Sequence, residues 1–177
     1  MAYPWVFPSI TPSNIEFTSK TQTAKFTSPF SGKTQTTRFQ SGQWWELKLS
    51  FPPLQTTQAQ TLSGFLTGLG GQDGTFTMKL PSMFRLAASV SGTIAANGND
   101  FTLSSGTPVA GLFGTDSVNN RLVQFTTTTS VFPSLVAGAV TINPANGALF
   151  RLASNEVRYT VNEMRDYGID ISIIEAI

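Results

Sequence analysis

The sequence contains no cysteine and no histidine. Without cysteine there is no disulfide, no thiolate nucleophile and no zinc–cysteine site, and the redox compartment is left open. Without histidine the commonest general base and metal ligand is gone, and Ser–His–Asp or Cys–His machinery cannot be assembled. Charge is also scarce: Asp, Glu, Lys and Arg make up 12% of the 177 residues, against roughly 25% in ordinary soluble proteins. Desolvating charge is costly, so a charge-poor surface is easily buried against a neighbour; a Thr/Ser-rich soluble surface with no special partner is the alternative. A formal net charge of +1 supplies no field for nucleic acid or an acidic membrane, and the cations are too scattered for a single-strand platform. No apolar run is long enough to span a bilayer, so no membrane insertion is expected. The opening MAYPWVFPSITPS lacks the positive and continuous apolar regions of a signal peptide, so assembly in the cytoplasm without Sec export is expected.

Thr, Ser, Gly and Phe take the place of charge. Thr and Phe favour strands, and Gly and Pro punctuate turns, so the fold is expected to be mainly β. Residues 1–14 read as an extended arm, lying on its own barrel or on a neighbouring subunit: Pro4, Pro8 and Pro12 forbid helix, with Trp5, Phe7 and Ile10 between them. The core is expected over residues 15–84. IEFTS and QTAKFTSPFSGKTQTTRF read as strands around a turn set by Pro29 and Gly32. In QWWELKLSF, Trp45, Leu47, Leu49 and Phe51 alternate with Trp44, Glu46, Lys48 and Ser50, the pattern of a half-buried strand. Pro52 and Pro53 end it.

One helix is predicted near 57–69, with an apolar stripe of Ala59, Leu62, Phe65, Leu66 and Leu69. Thr57 with Gln60 fits a capping box, and Gly70–Gly71 stop it. Gly64 and Gly68 inside the helix cost roughly 1 kcal/mol each, which points either to close packing on a sheet or to loose surface packing. Phe76, Met78 and Leu80 share one face of a further strand. Residues 85–148 change texture, richer in Ala, Gly, Ser and Asn, and read as a small β-barrel-like insertion with strands in FTLSS, RLVQFTT and AVTIN. Gly98, Gly106, Gly114, Asn119–Asn120, Gly138 and Asn146–Gly147 read as its turns. Residues 149–177 return to core strands, with Val157, Tyr159 and Val161 alternating, as do Ile169, Ile171 and Ile173.

The search for chemistry yields little. The carboxylates are single and dispersed, which suits solvated or ion-paired groups better than the paired acids of glycoside hydrolysis. GFLTGLGG lacks the Lys-Ser/Thr end of a phosphate loop. Asn97-Gly98-Asn99-Asp100 crowds oxygen ligands that could hold calcium weakly, with an Asn-Gly hairpin turn as the simpler reading. Trp44 and Trp45 point to opposite faces of a strand, so one enters the core and the other meets solvent, a sugar or a partner. No catalytic, cofactor or metal site is expected. The candidate interface residues are Trp5, Phe7, Ile10 and Trp44.

The run SGKTQTTRFQSGQWWELKLSFPPLQTTQAQTLSGFLTGLGGQDGTFTMKLP resembles the distal tail proteins of tailed bacteriophages, also termed minor tail or baseplate adaptor proteins. The shared features are the strand with Trp45, the Pro-Pro-Leu before a helix, the Leu-x-Gly-x-Phe-Leu-x-Gly-Leu-x-Gly-Gln run and the Gly-Thr-Phe strand. A short strand around Leu112–Phe113, a hairpin ending Val140-Thr141-Ile142-Asn143-Pro144 and a closing Ile174-Glu175-Ala176-Ile177 extend the likeness over most of the chain. The inserted segment departs most, being richer in Ala and Gly.

The resemblance implies a tail-tube-like β-barrel or sandwich with one flanking helix. It implies a homo-oligomer, a hexameric ring at the tail tip of the virion, joining the tail tube protein to the hub or fibre proteins, with the arm around Trp5 and Phe7 clasping a neighbour. Two rivals remain: a carbohydrate-binding β-sandwich using Trp44, Trp5 or Tyr3 as a stacking platform, and another virion component such as a tail tube or head–tail connector protein. A small lysin ranks last, because the chain lacks His, Cys and paired acids.

Overall fold

The structure is a computed structural model that describes residues 3–156, 159–161 and 167–176. It is mainly β, with one α-helix among the described residues. In chain order the elements are β1 (Trp5–Val6), β2 (Asn14–Thr27), β3 (Thr34–Ser50), α1 (Thr56–Gly68), β4 (Thr75–Met78), β5 (Val90–Ile94), β6 (Phe101–Ser105), β7 (Phe113–Asp116), β8 (Leu122–Thr127), β9 (Ser130–Phe132), β10 (Gly138–Asn143), β11 (Ala148–Leu152), β12 (Tyr159–Val161) and β13 (Tyr167–Glu175).

These strands form two sheets. The first has the order β1-β4-β11-β13-β3-β2, with β12 added on β13. The second has the order β6-β5-β10-β7-β8-β9. β4 and β11 are antiparallel neighbours, Met78 opposite Ala148 and Phe76 opposite Phe150, so the second sheet emerges from what is otherwise a hairpin of the first. Ala148 therefore opens a strand of the first sheet, one residue inside the stretch expected as insertion.

The first sheet buries the face that the alternation predicts. Trp45, Leu47, Leu49 and Phe51 are buried, as are Phe76, Met78, Leu80, Ile169, Ile171 and Ile173. Helix α1 closes this core with Ala59, Leu62 and Leu66, all buried; each fully buried Leu contributes about 1.5–3 kcal/mol. The expected alternation of Val157, Tyr159 and Val161 falls on side chains outside the described residues, as does Ile177.

The helix begins differently from the sequence reading. Its N-cap is Gln55, which makes no side-chain cap bond. Thr57 lies inside the first turn and uses its carbonyl to accept from the Thr61 hydroxyl at 2.9 Å. The capping box is therefore not formed: the helix begins two residues earlier than Thr57 as N-cap would place it. At the other end Gly70, with φ 67°, adopts the left-handed conformation that ends helices. The two internal glycines separate. A Cβ on Gly68 would stand 2.6 Å from the Trp5 ring, whereas one on Gly64 would meet nothing within 4 Å. Close packing holds at Gly68 and open surface at Gly64.

The second sheet is nearly closed. Its end strands meet through an antiparallel bridge between Asp100 and Ser130, with Phe101 N donating to Thr129 O at 2.8 Å and Val131 N to Asn99 O at 2.9 Å. Inside lie Val90, Ile94, Phe101, Val123, Phe125, Val131 and Ile142. Gly114, expected in a turn, lies in β7. It is glycine because a Cβ there would stand 2.4 Å from Ile142 Cγ2, so β7 can approach β10 only without a side chain.

Candidate assembly interface

Strands β2 and β3 pair along their whole length, but β13 accompanies β3 only between Glu46 and Ser50. Beyond that point the two strands continue as a ribbon. The register shifts between Thr21 and Thr23, where Thr21 pairs with Gln43 but Thr23 with Arg38. The residues left over form a bulge, which bends a ribbon and raises its twist. Gly42 sits in this bulge, where an added Cβ would lie 2.9 Å from that of Gln22. Residues 21–27 of β2 are all exposed. The turn is closed by Ser28 N donating to Lys33 O at 2.9 Å and Gly32 N to Ser28 O at 3.0 Å.

The ribbon carries apolar rings into solvent: Phe26 is 67% exposed, Phe30 99% and Phe39 48%. A two-stranded ribbon in water is marginally stable by itself, and unpaired edges invite pairing with another chain.

The residues singled out from the sequence fall in separate places. Trp5, Phe7 and Ile10 are half-buried on the chain's own core. β1 runs parallel to β4, Trp5 beside Phe76. Trp5 lies 5.9 Å from Phe65, and Phe7 lies 5.5 Å from Phe65 and 5.7 Å from Phe76, centroid to centroid. The arm thus packs on its own protomer. Phe7, Ile10 and Ile15 line one side of an apolar groove of about 730 Å³ whose other side is Met78, Leu80 and Pro81.

The paired tryptophans divide as the strand geometry requires. Trp45 enters the core among Phe17, Phe113 and Phe132, and Trp44 stays half-buried on the opposite face. Trp5 and Trp44 stand on β1 and β3, with β4, β11 and β13 between them. At about 4.8 Å per strand they share no stacking platform. The acidic turn resolves as a hairpin turn, with Asn97 Oδ1 accepting from the Asn99 and Asp100 N–H groups at 3.1 and 3.0 Å. Among the described residues no group of three or more His, Cys, Asp or Glu could hold a metal ion, and no helix is long and apolar enough to cross a membrane.

What sequence reasoning missed is a buried polar junction between the two sheets. Glu175, at the end of β13, accepts from Leu122 N at 2.8 Å and Trp45 N at 3.2 Å. Arg121 stands 3.4 Å from the same carboxylate and also donates to the carbonyls of Ser134, at 3.2 Å, and Gln43. The Gln43 side-chain oxygen accepts from Ser134 N at 2.8 Å. Burial pushes the Glu175 carboxyl above its ordinary value, opposed by the Arg121 charge and by the hydrogen bonds from Arg121, Trp45 and Leu122. Gln43 Nε2, Trp45 Nε1 and Arg121 Nε are buried here without a hydrogen-bond partner. The junction therefore carries a desolvation cost that packing of the two cores must offset. Glu175 and Arg121 gave no sequence signal because their partners are backbone groups on distant strands.

No protein-family model matches the chain, and no curated protein matches it in sequence.

Proposed function

We infer that this protein is a non-enzymatic structural component of a bacteriophage tail, a subunit of a ring, hexameric by the resemblance, that joins the tail tube to the hub or receptor-binding parts. The observation that carries this reading is the β2–β3 ribbon: a long, solvent-exposed edge with Phe26 and Phe30 bare at its end. Nothing among the described residues covers these rings, and exposed apolar groups flanked by polar residues mark interaction sites. The charge-poor composition supports the same reading, because little charge must be desolvated on assembly. The junction around Glu175 ties the two sheets together, as a ring subunit needs if it is to transmit position from one face to the other. The separation of Trp5 from Trp44 weighs against the sugar-binding alternative.

The test is the mass of the purified protein by light scattering across concentration, followed by negative-stain imaging. A closed ring supports the proposal. A strict monomer at the highest concentration, together with binding on a glycan array, would replace it with the carbohydrate-binding reading.

A further inference from the structure

The ribbon and the apolar groove lie at different levels of one strand. Ile15, at the start of β2, lines the groove, while Phe26 sits near the other end of the same strand. At about 3.3 Å per residue, the intervening strand holds them roughly 35 Å apart. The ribbon of one chain cannot reach the groove of that chain.

Chemically the two are complementary. The groove is apolar, with Phe7, Ile10, Ile15, Met78 and Leu80 along it, and among the described residues Lys79 is its one charged lining residue. The ribbon ends in Pro29 and Phe30, Phe30 being 99% exposed. Residues 17–45 hold Lys20, Lys25, Lys33 and Arg38 and no acid. The rest of the chain then holds seven cations against ten acids, a balance of −3. Lys20 is already paired with Glu46 at 3.1 Å, whereas Lys25 and Lys33 are exposed near the tip. Exposed Glu16 follows the groove-lining Ile15, opposite Lys48 on β3, and exposed Asp170 pairs opposite Ser50, itself the partner of Asn14.

We propose that the occupant of the groove is the ribbon of a second copy of this chain, with Phe30 seated among Phe7, Ile10 and Leu80 and the tip lysines facing Glu16 and Asp170. The contact is heterologous: each copy offers a knob and a socket on different parts of its surface, the arrangement that generates closed rings or open tubes rather than two-fold dimers. This rests on the reading of the protein as a self-assembling subunit and names the surfaces that do the work.

The absence of cysteine makes disulfide trapping clean. Full-length Phe30→Cys is mixed with Ser9→Cys, in the groove, under mild oxidation, and Ser104→Cys, on exposed β6, replaces the latter as control. The expected result is a covalent heterodimer with Ser9→Cys at least tenfold above the control. In parallel, Phe30→Ser and Lys25→Glu/Lys33→Glu should each weaken association about tenfold, and Glu16→Lys/Asp170→Lys should restore the charge-reversed ribbon when the two are mixed. If the wild type forms rings but the tip and groove variants do not cross-link, the docking fails and the assembly reading stands. If the wild type is monomeric and nothing cross-links above control, both fail.

Discussion

The carboxylate of Glu175, at the end of β13, accepts the backbone N–H of Leu122, the first residue of β8, at 2.8 Å. This one bond joins β13 of one sheet to β8 of the other. Arg121 adds the charge that makes a buried carboxylate tolerable there. Removing one partner of a buried pair leaves the other uncompensated, at about 3–5 kcal/mol. Arg121→Ala should therefore lower unfolding free energy by that order in urea titration, and Gln43→Ala, which removes a neutral partner of Ser134, by less.

The same carboxyl gives a pH dependence with a definite sign. Its pKa in the folded chain is raised above the ordinary 4.5 by burial. The folded state then holds the proton more tightly than the unfolded state. The resulting stabilisation is fully present below pH 4.5 and fades as pH rises through the folded value. Relative to Glu175→Gln, the wild type should gain stability as pH falls from neutral towards 4.5. Paired denaturation curves read this directly, and a gap that widened the other way would show the Arg121 pairing to dominate burial.

The two helix glycines predict opposite outcomes. Gly64→Ala meets open space and should stabilise by about 0.5–1 kcal/mol through helix propensity and the unfolded chain. Gly68→Ala drives a methyl into the Trp5 ring and should cost about 1–3 kcal/mol. Combining it with Trp5→Ala should abolish most of that further cost, a coupling that a double-mutant cycle measures.

Gly114 makes a similar test inside the barrel. Ala there meets Ile142 Cγ2 at 2.4 Å, on a buried strand with little room to move. A loss of about 1–3 kcal/mol is expected, and it should shrink in an Ile142→Ala background, which removes that methyl. Thermal melts of the two variants and their combination decide it.

The elements that follow a strict period were legible from the sequence. Trp45, Leu47, Leu49 and Phe51, the helix stripe and the Ile169–Ile173 alternation each report one buried face, because burial on a strand or helix repeats at a fixed interval. β5, β7 and β9 were less so. Each is short, and Gly114 in Phe113–Asp116 read as a turn because close strand approach and tight turning both select glycine. Phe7 and Ile10 were read as lying on their own barrel or on a neighbour; they are half-buried on their own core, and the sequence left the choice open because apolarity in an extended arm does not say whose surface covers it. The exposed ring of Phe26 was hidden for the converse reason: a phenylalanine on a strand reads as core.

Met78 and Ala148 are opposite partners in the sheet, although the whole barrel lies between them in sequence. Bringing two such distant points together from an unfolded chain carries a loop-closure entropy that must be met before any pairing rewards it. A barrel whose end strands already meet through Asp100 and Ser130 shortens that search, since its two stems leave from neighbouring positions. The topology thus orders folding from the inside out, with β5 to β10 gaining exchange protection ahead of the β4–β11 pair. Pulse-labelled hydrogen exchange would see that sequence of events, and simultaneous protection of both sheets would show that the first sheet closes without the barrel's help.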